Sequence, residues 1–154
     1  MIVGVISDTH GLLRPEVAKA FAKVRLILHA GDIGKPEVLH KLNSIAPVIA
    51  VRGNNDEGAW AHAIPESEVT DIGGMRVYMV HDIKEADLNL GDERVRIVIS
   101  GHSHRPSIER RDRVLFMNPG SAGPRRFKLP ITVGRLTIHG SVVNGEIIDL
   151  VNSG

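Results

Sequence analysis

The sequence predicts an α/β fold in which two β-sheets pack face to face, as a single domain over residues 1–154. Two observations support this fold class. In the first third of the chain, three short apolar segments alternate with two stretches of helical periodicity, which is typical of a parallel sheet with right-handed crossovers. Later apolar runs flank short turn sequences such as Gly73-Gly74, which is typical of β-hairpins. We therefore expect a parallel first half and an antiparallel second half.

The first half contains three predicted strands and two predicted helices. The strands, at residues 2–7, 26–29 and 47–51, are short aliphatic runs of the kind found in buried strands. Pro15 and Pro36 open the helices, because proline is favoured in the first helical turn. The apolar residues of the two helices recur at helical spacing: Leu13, Val17, Phe21 and Val24 in the first, and Val38, Leu39, Leu42 and Ile45 in the second.

The second half is predicted to consist of strands. Residues 69–72 and 75–80 form a hairpin around the two glycines, and residues 95–100 form a buried strand. Two further hairpins pair residues 108–110 with 114–117 and residues 131–138 with 142–151. No internal repeat, low-complexity tract or linker interrupts the pattern.

Composition excludes several classes of function. The 154 residues include 19 Lys and Arg against 18 Asp and Glu, so bulk charge does not favour a nucleic-acid partner. The absence of cysteine excludes disulfides, zinc–thiolate sites and thiol nucleophiles. It also fits a reducing cytoplasm, which is the expected location, since the first apolar run is too short for a signal peptide or a membrane span.

Polar clusters follow five of the predicted strands. Ligand sites of α/β sheets gather at the carboxyl ends of strands, so we expect these clusters to meet. Residues two apart in an extended segment face the same side, so Asp-x-His and His-x-His can each close on one ion. The clusters are Asp8-Thr9-His10, Gly31-Asp32, Gly53-Asn54-Asn55-Asp56, His81-Asp82 and Gly101-His102-Ser103-His104.

The donor types in these clusters predict a pair of transition-metal ions. Carboxylate, amide oxygen and imidazole suit Mn, Fe, Co, Ni or Zn better than Ca or Mg. Seven donors exceed what one ion can accept while keeping a reactive position, whereas two ions sharing Asp32 use them all. Ionised Asp8 and Asp32 leave a net charge of about +2 on two divalent ions, which matches one bridging hydroxide and one phosphodiester. Each cluster alone is also an ordinary cap or turn, and the prediction rests on their joint occurrence.

The ordered motifs resemble the metallophosphoesterase (calcineurin-like) superfamily. Asn118-Pro119-Gly120-Ser121 with Pro124-Arg125 resembles its small bacterial and archaeal phosphodiesterases. The resemblance implies a four-layer αββα sandwich, two mixed β-sheets flanked by helices, with a dinuclear site at the strand ends. It implies Mn as the most common metal, with Fe, Ni or Zn as alternatives. One ion would take Asp8, His10, Asp32 and His104, and the other Asp32, Asn54, His81 and His102.

The predicted activity is a phosphodiesterase in which a hydroxide bridging the two ions attacks phosphorus. Arg52 is expected to stabilise the developing charge, to contact the phosphate or to anchor a carboxylate, because a guanidinium group fits both kinds of anion. Asn118 and Ser121 are predicted at the rim of the site, with turn formation as their alternative role. The assigned sets are Asp32, Asn54, His102 and Arg52 for catalysis, and Asn55, Arg52, Asn118 and Ser121 for substrate binding.

The sequence departs from the family pattern in three places. Asn55 stands where many relatives carry a histidine that contacts substrate or protonates the leaving group. Asp82 follows His81 in place of the usual glycine. Residues 82–94 are short where relatives place a full helix, which would leave that face more open.

Several alternatives remain open. The same fold serves as a non-catalytic interaction scaffold in retromer-type subunits, and a phosphomonoesterase or small nuclease would use the same ligands. The buried-strand position of His29 fits a core histidine or a residue that orients a ligand. Asp56 is expected to fix its turn or pair with Arg52. Trp60, Ala61 and Ile64 are a candidate apolar patch for a homo-oligomer. Seven basic residues within 105–128 are interpreted as a solvated face.

Overall fold

The first of two five-stranded sheets contains the predicted parallel strands. The computed structural model describes residues 1–86 and 94–151, and within them the sheet consists of β1 (Ile2–Ile6), β2 (Leu26–His29), β3 (Val48–Ala50), β9 (Thr132–His139) and β10 (Val142–Asp149). Strand β1 pairs in parallel with β2, and β2 pairs in parallel with β3. The β9–β10 hairpin returns to pair antiparallel with the other side of β1, so the order is β10-β9-β1-β2-β3.

The second sheet is mixed, so the expected antiparallel second half is wrong as stated. Its strands are β4 (Ser67–Ile72), β5 (Met75–Val80), β6 (Val95–Ile99), β7 (Ser107–Arg111) and β8 (Val114–Asn118), in the order β4-β5-β6-β8-β7. The two hairpins β4–β5 and β7–β8 are antiparallel, as predicted. Between them, β5, β6 and β8 run parallel to one another. The carboxyl ends of these three strands therefore meet at one edge.

The helices are short. Helix α1 (Glu16–Ala20) follows Pro15, and α2 (Pro36–Asn43) has its proline in the first turn, as predicted. The sequence analysis missed α3 (Ala59–His62), on which Ala61 is fully buried while Trp60 packs half-buried against the core. This packing accounts for part of the predicted apolar patch, and the homo-oligomer stays a prediction. No helix in residues 1–86 and 94–151 is long and apolar enough to cross a membrane.

The main core lies between the two sheets and confirms the predicted sandwich. Val5 and Leu136 of the first sheet pack there with Ile97 and Met117 of the second. A second core lies under α1 and α2, where Phe21 is fully buried. The outer face of the second sheet is covered, within the described residues, by a short 3-10 turn at Ile83–Glu85. The rest of the predicted open segment, residues 87–93, lies outside the described residues.

The inter-sheet core should govern stability. Leu136 is 0% exposed, and truncating a fully buried leucine removes apolar contacts and leaves a cavity. Leu136→Ala should therefore lower the free energy of unfolding by about 3 kcal/mol. Urea unfolding measures the change, with Val142→Ala as control because Val142 is 55% exposed on the adjoining strand. Equal losses in the two variants would contradict this placement of the core.

Candidate metal centre

The predicted ligands come from the carboxyl ends of strands in both sheets. Asp8 and Asp32 follow β1 and β2 of the first sheet, and the histidines at positions 81, 102 and 104 follow β5 and β6 of the second. Packing the sheets face to face brings the carboxylates of one sheet against the imidazoles of the other. The central cluster contains Asp8, His10, Asp32, His81 and His104, of which only His10 is more than 5% exposed.

The two carboxylates lie between three imidazoles. Asp8 Oδ1 is 3.4 Å from Nε2 of His104 and 3.9 Å from Nε2 of both His10 and His81. Asp32 Oδ2 is 3.3 Å from Nε2 of His81 and 3.7 Å from Nε2 of His10. Two groups each have their ligand atoms within 4.8 Å of one another: Asp8 with His10 and His104, and Asp8 with Asp32 and His81. This geometry can hold cations on either side of the carboxylates.

The cluster concentrates buried polar atoms that have no hydrogen-bond partner. In the described part of the chain, five buried side-chain nitrogen or oxygen atoms lack a partner, and four of them belong to this cluster: Asp8 Oδ1, His10 Nε2, His81 Nε2 and His104 Nδ1. Leaving such atoms unpaired costs about 1–3 kcal/mol each. Cations placed between the carboxylate oxygens and the imidazole nitrogens would supply partners for such atoms, and at His81 a cation would take the place of the Nε2 proton. The residues present therefore fit a divalent metal.

Asp8 presents one oxygen to the protein and the other to the cluster. Its Oδ2 accepts hydrogen bonds from the Ser7 hydroxyl (2.8 Å) and from the His102 backbone N–H (3.1 Å). Its Oδ1 is the atom left unpaired. The hydrogen bond from the His102 N–H also joins the loop after β1, in the first sheet, to the loop after β6, in the second sheet.

His81 is oriented to offer Nε2 as a ligand. Its Nδ1 lies 2.7 Å from the Ala30 carbonyl oxygen, which can only accept, so Nδ1 carries the proton. Burial lowers the pKa of His81, but the attraction of Asp32, whose Oδ2 lies 3.3 Å from Nε2, and of Asp8 outweighs it and raises the pKa to about 8. A metal binding at Nε2 takes the place of that second proton.

The pKa values of Asp32 and His10 are both lowered. Burial raises the pKa of Asp32, but the nearby His81 imidazole and the hydrogen bonds from Asn55 outweigh it and hold the pKa well below its usual range. Burial lowers the pKa of His10 and outweighs the attraction of Asp32 and Asp8, and the charge of Arg126 acts in the same direction as burial. At neutral pH the site therefore contains an ionised Asp32 and a neutral His10.

The two asparagines after β3 have different surroundings. Asn55 donates two hydrogen bonds to Asp32, from its backbone N–H to Oδ1 and from Nδ2 to Oδ2, each 3.0 Å long. Asn54, the predicted ligand, is exposed and lines the cleft beside His81. Asn55, predicted to bind substrate, thus holds both oxygens of Asp32, while substrate binding by Asn55 stays a prediction.

A cleft of about 320 Å³ opens on the His81 side of the cluster. Three carboxylates line it, Glu66, Asp82 and Glu85, which we call the acidic wall. Arg52 also lines the cleft, but it donates hydrogen bonds to Glu66 (2.9 Å) and to the Ile64 carbonyl (3.0 Å).

His102 stands at the mouth of this cleft, with its side chain 44% exposed. Its Nε2 lies 3.7 Å from Oδ2 of Asp82, the residue that replaces the usual glycine. Asp82 also accepts a hydrogen bond from the Lys84 N–H and so begins the 3-10 turn.

Asn118 and Ser121 donate hydrogen bonds to the loops that carry the predicted ligands. Asn118 Nδ2 donates to the Gly101 carbonyl (2.9 Å) and to Ser103 Oγ (3.1 Å), which fixes the loop between His102 and His104. The Ser121 hydroxyl donates to the Asp8 carbonyl (3.1 Å). Both are buried, and these contacts are those of turn-stabilising residues, while substrate binding by either stays a prediction.

Asp56 joins the β2 and β3 loops, as the sequence analysis expected for a residue that fixes its turn. Its carboxylate accepts three backbone N–H groups, from Ile33 (3.1 Å), Gly34 (2.9 Å) and Gly53 (2.8 Å). A Cβ at Gly53 would lie 2.1 Å from Asp32 Oδ1, so only glycine permits this approach.

The ligand loops have an unusual backbone. Among the described residues, seven non-glycine residues have positive φ, and five of them are predicted ligands: Asp8, His10, Asp32, His102 and His104, at φ between 47° and 71°. Left-handed backbone is unfavourable for L-residues, and Asp and His adopt it more readily than most. Strain concentrated on ligand residues is a feature of functional sites.

His29 joins the β1 and β2 loops beneath the cluster. Its Nδ1 accepts the Gly31 N–H (3.1 Å), so Nε2 carries the proton and donates to Thr9 Oγ1 (3.1 Å), which in turn donates to the Ile33 carbonyl (2.8 Å). Burial lowers the pKa of His29 to about 4. This neutral imidazole orients the loops that carry Asp8 and Asp32 without contacting either carboxylate.

The chain is similar to known proteins over most of its length. A model of the calcineurin-like phosphoesterase superfamily domain matches residues 1–141. The chain is 37% identical to a probable metallophosphoesterase of Methanothermobacter thermautotrophicus, covering 96% of this chain and 92% of the relative. It is 30% identical to a phosphodiesterase of Methanocaldococcus jannaschii over 78% of this chain and 83% of the relative. Vps29 of Entamoeba histolytica, solved in complex with Zn²⁺, aligns with a TM-score of 0.72 and 25% identity over 98% of this chain and 100% of that chain.

His29 should contribute to the acid sensitivity of the fold. Its imidazole titrates near 6.5 in the unfolded chain and near 4 in the folded one, so the unfolded chain binds more protons between these pH values. The free energy of unfolding should therefore fall as pH drops from about 6.5 to 4, by on the order of 3 kcal/mol from this residue. Urea unfolding in chelator across this range measures it.

His29→Gln, which cannot titrate, should show a shallower fall over the same pH range. His62→Gln removes an exposed histidine and is the matched control. Identical pH slopes for wild type and His29→Gln would contradict a buried, neutral His29.

Proposed function

The chain belongs to the calcineurin-like phosphoesterase superfamily, and we propose that it hydrolyses small phosphodiesters with two divalent cations held at the cluster. The unpaired buried atoms Asp8 Oδ1, His10 Nε2, His81 Nε2 and His104 Nδ1 carry this proposal. Buried polar atoms that lack a hydrogen-bond partner and gather in one cluster are typical of a site that binds cations. The phosphodiesterase relative supports the reaction class.

The donor set favours transition-metal ions. Imidazole nitrogen and carboxylate oxygen suit Mn²⁺, and Fe, Ni or Zn by the same chemistry. Bound there, two divalent cations supply Lewis acidity and lower the pKa of a water molecule between them. Asp32, ionised and near both His10 and His81, is suited to serve both ions. Asn54 and His102, at the mouth of the cleft, complete the proposed ligand set on the substrate side.

The protein residues determine which substrates can approach. Asp8 and Asp32 neutralise half of the charge of two divalent cations, and the remainder attracts a monoanionic diester. Arg52 is held by Glu66, which is largely exposed, and an exposed ion pair is worth only about 0–1 kcal/mol. A substrate phosphate can therefore draw the guanidinium away from Glu66 at little cost.

The leaving group receives little help from the protein. At the position after Asn54, the side chain of Asn55 is an amide that binds Asp32 and cannot donate a proton usefully. We therefore propose a preference for aryl or otherwise activated esters, whose leaving groups depart without protonation.

The likeness to Vps29 favours a second candidate, a non-catalytic interaction scaffold. A scaffold has no need of turnover, so measured hydrolysis separates the two. A phosphomonoesterase or small nuclease differs from the main proposal only in substrate, and a panel of mono-, di- and cyclic esters distinguishes them.

Metal stoichiometry tests the proposed dinuclear site. Titration calorimetry with Mn²⁺ should give two ions per wild-type chain and one each for His81→Ala and His104→Ala, which remove ligands on opposite sides of the carboxylates. Hydrolysis of bis(p-nitrophenyl) phosphate should fall at least about 100-fold in both, because two ions act together on the attacking and leaving oxygens. His62→Ala is the control. Two ions without hydrolysis would favour the scaffold, and no bound metal would refute the proposal.

Asn55→His should restore a proton donor for poor leaving groups. We expect a gain of tenfold or more on alkyl phosphodiesters, with a smaller change on p-nitrophenyl esters, because general acid catalysis is worth about 10²–10⁴-fold where the leaving group needs it. Asn55→Ala is the matched control, since it also loses the Nδ2 hydrogen bond to Asp32 but adds no acid. A gain that is the same for alkyl and aryl esters would contradict the explanation.

A further inference from the structure

The loop at residues 123–130 carries an aromatic ring that the fold does not bury. Phe127 is 92% exposed, the highest value among the exposed large apolar side chains of the described residues. Its φ is 54°, which is a genuine outlier for a bulky residue. Exposure of the ring and backbone strain both oppose stability, so a functional reason for this conformation is required.

The loop begins in contact with the chain segment that carries Asp8 and His10. A Cβ at Gly123 would lie 2.4 Å from the Thr9 carbonyl oxygen and 2.5 Å from that of Asp8, so the two backbones touch. Arg14 adds a hydrogen bond to the Gly123 carbonyl (3.2 Å). Phe127 is four residues further on, so its Cα lies at most about 14 Å from this contact, even in a fully extended chain. The loop that carries the ring is therefore anchored beside the cluster.

The residues next to Phe127 in the sequence, Arg125, Arg126 and Lys128, are basic. The Leu129 N–H donates to the Arg126 carbonyl (3.1 Å) and closes a turn on which the ring is exposed.

The opposite side of the cluster has the opposite charge. The cleft there carries the acidic wall, and its one arginine is paired with Glu66. The side of the loop at 123–130 is therefore the more favourable one for a negatively charged substrate to approach.

We propose that Phe127 is a stacking platform for a nucleobase, and that the substrates are small nucleoside phosphodiesters. This inference rests on the proposed phosphodiesterase function and names its substrate class. An exposed aromatic ring between cations is the arrangement that binds single nucleotides: the ring stacks on the base and the cations attract the phosphate. One ring and an acidic wall across the cluster suit one nucleoside rather than a polymer of phosphates.

Two substrates isolate the contribution of the base. Thymidine 5′-(p-nitrophenyl phosphate) and ethyl p-nitrophenyl phosphate share a leaving group and a charge, and only the first has a base. For the Mn²⁺-loaded enzyme, Phe127→Ala should lower the preference for the thymidine ester, as the ratio of kcat/KM values, by about tenfold. The loss should appear in KM, because stacking is equal in the ground and transition states. Phe127→Trp should keep the preference.

Val142→Ala is the matched control, since it removes another exposed apolar side chain, at the hairpin next to the amino end of β1. An unchanged preference in Phe127→Ala would overturn the platform while leaving the hydrolase intact. The platform is likewise overturned if the only effect of this variant is to dissociate an oligomer on gel filtration.

A binding measurement tests the stacking platform independently of the proposed hydrolase activity. If wild type hydrolyses neither ester, the proposed function fails, and calorimetry with thymidine 5′-monophosphate decides about the platform. About tenfold weaker binding by Phe127→Ala than by wild type would support it. Equal affinity, or no binding to either protein, would overturn it.

Discussion

The burial of two carboxylates, Asp8 and Asp32, is the constraint on which the site depends. Both are almost fully removed from solvent, and an isolated buried carboxylate is strongly unfavourable. Hydrogen bonds from Ser7 and Asn55 compensate part of that cost. Histidines that bind a metal are neutral, so as ligands the imidazoles would bring no positive charge to compensate the remaining cost of burying the carboxylates. In the proposed function, divalent cations between the carboxylates and the imidazoles compensate the rest of that cost.

This electrostatic requirement explains why the loops tolerate strained backbone. Five ligand residues adopt left-handed conformations, at a cost on the order of 1 kcal/mol or more each. Groups outside the cluster hold these conformations in place: Asp56 gathers three backbone N–H groups, Asn118 fixes the β6 loop, and His29 joins the first two loops. These residues bear polar side chains that could be mistaken for substrate contacts. Their burial and their backbone partners indicate that they position the ligands.

Much of the site could be predicted because its signals are local. Each predicted ligand lies within five residues after the end of a strand. The extended geometry expected for Asp-x-His and His-x-His is wrong, because all four of these residues have left-handed backbone. The parallel pairing of β5, β6 and β8 could not be predicted, because hairpin signals report only neighbours in the sequence. A single helical turn such as α3 is too short to show periodicity. The partner of Arg52, Glu66, lies 14 residues away across a loop, and nothing in the sequence specifies that contact.

Charge outside the cluster distinguishes among the reactions that the same ligands could support. A phosphomonoester brings two negative charges, and the acidic wall opposes the second one. A nucleic-acid strand would bring further phosphates past the same wall, and its carboxylates would repel each of them. A diester brings a single charge to the cluster and can place a neutral group in the cleft. Negative charges repel one another more strongly in a cleft than in open water. The acidic wall therefore favours small diesters over phosphomonoesters and nucleic-acid strands.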